Sequence, residues 1–141
     1  MGCRPPPYQA IACLNVLDRC PYPIALLDQL LESLSPGGLL LVAMPLPYRP
    51  MFYDGATALE PAERLPCKAE TWEESARALV EQVLLARGLE VLALTRVPYL
   101  SGGDAARPFY ELDDVVVVCR VSPTATGGGE SAGSPRAPRR T

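Results

Sequence analysis

Two short, unbroken apolar runs on either side of an amphipathic helix constrain the fold of this chain more than any other feature. The runs are residues 10–14 and 39–44, and each has the pattern of a strand buried on both faces. Between them, apolar side chains recur at helical spacing over residues 23–34, and the turn residues 35–38 end that helix. A strand–helix–strand unit with such short connections predicts two parallel strands in one sheet.

The later part of the chain continues this α/β alternation and then ends on strands. We predict a proline-rich loop over residues 45–69, a helix over 71–87 that Gly88 closes, and a third strand over 89–95. Another loop is predicted over 96–104 and a last strand over 109–121. Because no helix separates the last two strands, we expect them to be antiparallel neighbours.

Length and composition predict one domain with two unstructured ends. A chain of 141 residues has room for one modest core. We place the domain at residues 8–121, between a leader of residues 1–7 and a tail of residues 122–141 that is rich in glycine, serine and proline.

Charge and residue content exclude several classes of function. The formal net charge is −3 and the single lysine is Lys68, so no basic footprint for nucleic acid is present. The absence of histidine excludes histidine-based triads and histidine-ligated zinc. Cys13 and Cys20 match no zinc spacing, so we expect no metal site. An odd total of five cysteines favours free thiols in a reducing compartment.

The sequence contains no export signal and no apolar run near the ~20 residues of a membrane helix. We therefore expect an intracellular, cytoplasmic protein.

Polar side chains appear where the first predicted strand ends. Open parallel sheets bind ligands at the carboxyl ends of their strands, and Asn15 and Asp18 lie at that end. From the residues alone, Asn15 could instead be a turn residue that caps the next helix. Asp18 could be a surface partner of Arg19 or a helix N-cap.

Four motifs in this order resemble a known family of enzymes. The segment Cys13-Leu14-Asn15-Val16-Leu17-Asp18-Arg19-Cys20 is similar to the Cys-Leu-Asn-Leu-Leu-Asp-Arg-Cys signature of the DORA-reverse methyltransferases. The other three stretches agree in order and spacing: Thr71-Trp72-Glu73-Glu74, Thr95-Arg96-Val97-Pro98-Tyr99-Leu100 and Phe109-Tyr110-Glu111-Leu112-Asp113-Asp114. The resemblance runs from about Tyr8 to Val121. It implies the class I, Rossmann-like methyltransferase fold, in which a parallel sheet ends in an antiparallel hairpin.

The resemblance also implies a reaction and its participants. Members of this family transfer a methyl group from S-adenosylmethionine to the pros (Nδ1) nitrogen of protein histidines. They prefer His-x-His motifs with a small middle residue. The expected partners are therefore protein substrates with such motifs, the expected cofactor is S-adenosylmethionine, and the complete enzyme is expected to be monomeric.

Only the carboxyl half of such an enzyme is matched. In these folds a Gly-rich turn after the first strand and an acidic residue after the second hold the cofactor, and the sequence has no counterpart of either. We therefore expect a truncated carboxyl half, an isoform or an incomplete gene model. The alternative is a catalytically inactive fragment that acts as a binding or regulatory module.

Four site residues follow from the matched motifs. The resemblance assigns catalytic roles to Asp18, Asn15 and Tyr110, and cofactor contacts to Asn15 and Tyr99. A carboxylate that accepts the Nε2–H of an imidazole fixes the tautomer whose Nδ1 can attack, and stabilises the imidazolium that forms. From the residues alone, either tyrosine could equally be an aromatic side chain at the edge of the core with its hydroxyl in water.

Overall fold

The computed structural model describes residues 7–123 and builds them around a four-stranded mixed sheet. The strands lie in the order β1-β2-β6-β5, and β3 pairs with β4 in a separate ribbon. Their bounds are β1 Tyr8–Leu14, β2 Leu34–Pro45, β3 Phe52–Asp54, β4 Thr57–Leu59, β5 Leu89–Gly102 and β6 Phe109–Val121. The leader and tail predicted at residues 1–7 and 122–141 lie outside the described residues, apart from Pro7, Ser122 and Pro123.

Two helical segments connect the strands. The first is α1, Pro23–Glu32, and the second starts as α2, Trp72–Ala78. The second segment continues as a π-helical turn over Leu79–Leu84 and a 3₁₀ turn over Leu85–Arg87. The Thr71 side chain caps its start by accepting from the Glu74 N–H at 3.3 Å, and Gly88 ends it in the left-handed conformation at φ 72°.

The pairing of the strands confirms the predicted mixed sheet. β1 and β2 are parallel across α1, with Ala10 opposite Leu39 and Leu14 opposite Ala43. β6 runs antiparallel to both β2 and β5. The mixed sheet is therefore the one that the alternation of apolar runs and helical stripes predicts.

Three of the predicted boundaries are wrong for identifiable physical reasons. The loop predicted over 96–104 is mostly strand, because β6 pairs with β5 as far as the Gly102–Phe109 position, and Pro98 is tolerated on an edge strand. The loop predicted over 45–69 contains the β3–β4 ribbon, which turns at Gly55 with φ 59°. Helix α1 stops two residues early because Leu34 already pairs with Tyr8 in the sheet.

The core lies between one face of the sheet and the helical segments. It contains alternate side chains of β2 and β6 together with side chains of the helices, among them Leu27, Leu40, Val42, Met44, Leu79, Val83, Val115 and Val117. Within residues 7–123, side chains that alternate to the opposite face are less covered: Leu14 is 52% exposed and Leu39 37% exposed. The outer edge of β1 has no neighbouring strand in this part of the chain.

Buried hydrogen bonds hold the connection between β2 and α2, residues 46–71, against the core. The Ser75 hydroxyl donates to the Cys67 carbonyl at 2.6 Å and accepts from the Tyr48 N–H at 3.1 Å. The Tyr48 hydroxyl accepts from the Leu65 N–H at 3.2 Å. This connection is therefore fixed at the same end of the sheet as residues 15–18, where Met51 N–H donates to the Asp18 carbonyl at 3.0 Å.

Candidate functional site

The site begins at a strained turn after β1. Asn15 has φ 55°, a left-handed conformation that asparagine adopts more readily than most side chains. Its backbone N–H donates to the Ala43 carbonyl at 2.7 Å, which fixes the turn against the end of β2. The side-chain oxygen Oδ1 is buried and has no hydrogen-bond partner among the described residues.

Asp18 lies three residues further on and is only 2% exposed. Its Oδ2 forms an ion pair with Arg19 Nη1 at 2.8 Å. The same guanidinium nitrogen donates to the backbone oxygens of Asp18 at 2.9 Å and Arg49 at 3.2 Å. The other carboxylate oxygen, Oδ1, is buried without a partner in residues 7–123. The partnership with Arg19 that the sequence left open is therefore present, but it occupies one oxygen only.

The surroundings of Asp18 favour its protonated form. Burial raises the pKa of its carboxyl above the ordinary 3.8, and the charge of Asp114 adds to the rise. Arg19 and the Asp18 backbone oppose that rise. A cationic or N–H-donating ligand that approaches such a buried carboxyl group stabilises its ionised form.

Asp114 is a second buried carboxylate that sequence reasoning missed. It is 5% exposed, lies opposite Pro45 in the β2–β6 ladder, and has an unpartnered Oδ1 in the described chain. Burial raises its pKa, and a hydrogen bond with the Asn15 side chain opposes that rise. The signal that could have found it is a carboxylate directly before the apolar run 115–119, where the strand pattern predicts burial.

A cavity of about 180 Å³ brings three of the four predicted site residues together. Asn15, Asp18 and Tyr99 line it, together with Arg19, Pro45, Ser101 and Leu112. Tyr99 comes from β5 and is 37% exposed. The residues that the family motifs single out on two distant stretches of chain therefore surround one space at the carboxyl ends of β1 and β2.

Tyr110 lies at a neighbouring cavity rather than at the same one. That cavity measures about 450 Å³ and shares Arg19, Ser101 and Leu112 with the smaller one. Tyr110 and Tyr53 are among the residues that line it. The two cavities are therefore neighbours, with Asp18 in the lining of the smaller one and Tyr110 in the lining of the larger one.

The Tyr110 hydroxyl is already committed as a donor. It donates to Asp104 Oδ2 at 2.7 Å, while Asp104 Oδ1 accepts the backbone N–H groups of Ala106 at 2.8 Å and Arg107 at 3.0 Å. This bond raises the pKa of Tyr110 and lowers that of Asp104. The phenol oxygen that faces a ligand therefore acts as an acceptor.

The buried thiols of the described residues are not activated as nucleophiles. Cys13, Cys67 and Cys119 are buried free thiols, and burial raises the pKa of Cys67 to about 12 and of Cys119 to about 11. Such thiols are poor nucleophiles near neutral pH.

Residues 7–123 contain no group of three or more acidic, cysteine or histidine side chains arranged to hold a metal ion. None of the helices in that range is both long and apolar enough to cross a membrane.

Comparison with known protein families places these observations in an enzyme class. The model of the DREV methyltransferase family, the DORA-reverse family of the sequence motifs, matches residues 6–121. The match covers most of the chain, including every strand and both helical segments of the described fold. The chain therefore belongs to the DREV methyltransferase family.

Proposed function

We propose that this chain forms the substrate side of a protein-histidine N-methyltransferase that modifies the pros nitrogen in His-x-His motifs. Family membership supports methyl transfer as the reaction. The choice of histidine rests on one observation above all, the unpartnered Oδ1 of buried Asp18 in a cavity that Tyr99 also lines.

The proposed role of Asp18 follows from the chemistry of imidazole. A neutral imidazole attacks through Nδ1 only when its proton is on Nε2. Asp18 Oδ1 accepts that Nε2–H, while Arg19 holds the other oxygen. Transfer of the methyl group leaves a cationic ring, and the adjacent carboxylate, itself buried, stabilises that charge.

The family implies S-adenosylmethionine as the methyl donor, and two residues fit part of that molecule. When bound, it supplies the methyl group on a positively charged sulfur. Asn15 Oδ1 is a buried acceptor that suits a positive group, and Tyr99 offers a half-exposed aromatic face at the same cavity. We propose that these two residues contact the cofactor from this side of the site.

We assign Tyr110 and its cavity to the peptide around the target histidine. Its volume of about 450 Å³ lies within the ~300–1,000 Å³ range of ligand pockets. The Tyr110 oxygen accepts a hydrogen bond because its own proton is held by Asp104. A peptide N–H, or the N–H of the second histidine of the motif, meets that requirement.

The test is methyl transfer to a short peptide that contains His-Ala-His. The chain is incubated with S-adenosylmethionine and the peptide, both alone and with the amino-terminal half of another DREV family methyltransferase. Mass spectrometry detects a gain of one methyl group, and amino-acid analysis separates the pros from the tele isomer. We expect pros-methylhistidine from the complemented chain. Methylation of the tele nitrogen or of a different residue, or no methylation in either arm, would contradict the proposal.

A second candidate function follows from the uncovered part of the sheet. In residues 7–123 the outer edge of β1 has no neighbouring strand, and Leu14 and Leu39 are exposed on one face. Such a surface favours a binding or regulatory fragment that associates with another polypeptide. This function predicts that the chain forms a complex with the amino-terminal half, which size-exclusion chromatography detects, while the peptide stays unmethylated in both arms.

A further inference from the structure

The turn that joins β5 to β6 holds Asp104 in a fixed position beside the larger cavity. The Gly103 N–H donates to the Pro108 carbonyl at 3.1 Å. The Asp104 N–H donates to the Arg107 carbonyl at 2.8 Å. A Cβ at Gly103 would collide with the Arg107 carbonyl oxygen, so only glycine allows the two arms of the turn to approach this closely.

The two carboxylate oxygens of Asp104 have different partners. Oδ1 accepts the backbone N–H groups of Ala106 at 2.8 Å and Arg107 at 3.0 Å, which fixes the orientation of the side chain. Oδ2 accepts the Tyr110 hydroxyl at 2.7 Å. The turn therefore requires an oxygen at the first position, and Tyr110 meets whichever atom stands at the second. Asparagine has the same shape, but only an ionised aspartate provides an acceptor at both positions.

The contact with Asp104 decides what Tyr110 offers a ligand. A phenol has one proton to donate, and its oxygen can also accept. The proton is directed to Asp104, and the Arg107 guanidinium lies 5.7 Å from the centroid of the Tyr110 ring. Both Tyr110 and Asp104 line the cavity of about 450 Å³. The phenol oxygen in that cavity is therefore left as an acceptor.

We propose that Asp104 is a positioning residue that selects the second imidazole of the substrate motif, because it holds the Tyr110 proton and leaves the phenol oxygen to accept an imidazole N–H. In an extended peptide, side chains two residues apart point to the same side, roughly 7 Å from each other. One histidine of a His-x-His motif at Asp18 then places the other at the neighbouring cavity. This inference rests on the proposed function for the identity of the peptide. A ring that only accepts leaves the phenol oxygen unpartnered and binds more weakly.

Nuclear magnetic resonance of the chain with ¹³C-labelled tyrosine tests the position of the proton without any ligand. We expect the pKa of Tyr110 to lie above the ordinary 10.0, because ionisation breaks the hydrogen bond to Asp104, although the Arg107 charge opposes the rise. Asp104→Asn keeps an oxygen for the turn and directs its NH₂ group to the phenol, so this pKa should fall.

Asp54→Asn is the matched control for the titration. It removes the same charge from an exposed position in β3 that does not line the cavity, and it should leave the pKa of Tyr110 unchanged. A wild-type pKa no higher than 10.0 would overturn the inference even if Asp104→Asn does not fold. A pKa that Asp104→Asn leaves unchanged would overturn it as well.

Peptide binding tests the selection of the second imidazole. The probes are His-Ala-His and peptides in which 4- or 5-thiazolylalanine replaces one histidine. Between them these rings place an accepting nitrogen at either imidazole position, and neither ring has an N–H. In the wild type, replacement of either histidine should weaken binding about tenfold, the equivalent of one hydrogen bond. Asp104→Asn should restore affinity at one histidine only, because its phenol then donates to the thiazole nitrogen, while the loss at the histidine that faces Asp18 remains.

The outcomes separate this inference from the proposed function. Equal wild-type affinity for all the peptides would overturn the selection by Asp104, and so would an Asp104→Asn variant in which replacement of either histidine still weakens binding. If the wild type binds no peptide, the proposed function and the selection of an imidazole both fail. The titration then still decides whether Asp104 holds the Tyr110 proton.

Discussion

Asp18 and Arg19 form an asymmetric ion pair: Oδ2 of the carboxylate lies 2.8 Å from the guanidinium, whereas Oδ1 is buried and free of partners within residues 7–123. The ion pair thus holds the Asp18 carboxylate in place through Oδ2 and leaves Oδ1 available as a hydrogen-bond acceptor. In a symmetric, bidentate pair both oxygens would contact the guanidinium, and neither would be available to accept an N–H from a ligand.

Substitution of Asp18 by asparagine tests its chemical role. We expect Asp18→Asn to lower methyl transfer by roughly 10²–10⁴-fold, the usual range for a positioned proton-accepting group. The melting temperature should not fall, because the change removes a buried charge that has only one partnered oxygen. Asp28→Asn, an exposed aspartate of α1 that pairs with Arg87, serves as the control and should retain activity. Retained turnover in Asp18→Asn would refute the assignment.

Arg19 should set the pH range over which the enzyme works. The guanidinium opposes the burial-driven rise in the pKa of Asp18, so Arg19→Met lets that pKa rise further. Because the ionised carboxylate is the active form in the proposed reaction, the acidic limb of the pH–rate profile should move to higher pH. Arg64→Met, which breaks only the exposed pair with Glu60, is the control. An unmoved acidic limb would show that Asp18 does not control the rate.

The buried carboxylate of Asp114 should make stability depend on pH. Its pKa is raised above 3.8 in the folded chain and is ordinary in the unfolded chain. The folded chain therefore binds this proton more tightly, and that stabilisation is complete below pH 3.8 and is lost as pH rises through the folded pKa. Relative to Asp114→Asn, the wild type should lose stability as pH rises from 3.8 through that range. Thermal unfolding of both proteins across this range provides the measurement, and parallel curves would contradict the expectation.

Ser75 should be the side chain on which the connection between β2 and α2 most depends. Ser75→Ala removes the donor to the Cys67 carbonyl and the acceptor of the Tyr48 N–H, both of them buried. We expect a loss of about 2–4 kcal/mol in the free energy of unfolding, since two buried backbone groups lose their partner. Ser33→Ala, which removes only an exposed bond to the Gln29 carbonyl, should cost less than about 1 kcal/mol. Urea denaturation measures both, and equal losses would argue against the buried network.

The open face and free edge at β1 should make the isolated chain self-associate. Ala12 is exposed on the face that the helices of the described structure leave uncovered. Ala12→Lys places a charge there and should reduce association. Ala62→Lys, in an exposed loop, adds the same charge elsewhere and should not. Sedimentation velocity over a range of concentrations distinguishes them. A wild-type chain that stays monomeric throughout would contradict this expectation.

The main strands and their pairing could be predicted from local pattern, and the strand extensions that form only against a partner strand could not. The last strand predicted over 109–121 matches β6, whose centre is the apolar run 115–119, and the parallel pairing of β1 with β2 follows from the short crossover helix. The strand over residues 96–102 could not be foreseen, because Arg96, Pro98 and the two glycines that follow are typical of a loop until β6 provides hydrogen bonds. The early start of β2 at Leu34 likewise depends on a partner, Tyr8, far away in sequence.

The site shows the same division. Asn15 and Asp18 could be located from their position after an apolar strand, and Tyr99 and Tyr110 only from the family motifs. Asp114 could not be assigned, because its relation to Asn15 arises from the antiparallel pairing of β6 with β2. The hydrogen bond from the Tyr110 hydroxyl to Asp104 could not be predicted either. It depends on a turn over residues 104–107, and the hydrophobic pattern of the sequence does not indicate that turn.

The most direct measurement of the central claim is the tautomer of the target histidine in the bound peptide. Nitrogen chemical shifts of a ¹⁵N-histidine-labelled His-Ala-His peptide distinguish a protonated Nε2 from a protonated Nδ1. With the chain present, we expect one histidine to be fixed with its proton on Nε2, and we expect Asp18→Asn to lose that preference while Asp28→Asn keeps it. A bound histidine protonated on Nδ1, or a preference for Nε2 that survives in Asp18→Asn, would contradict the role proposed for the Asp18 carboxylate.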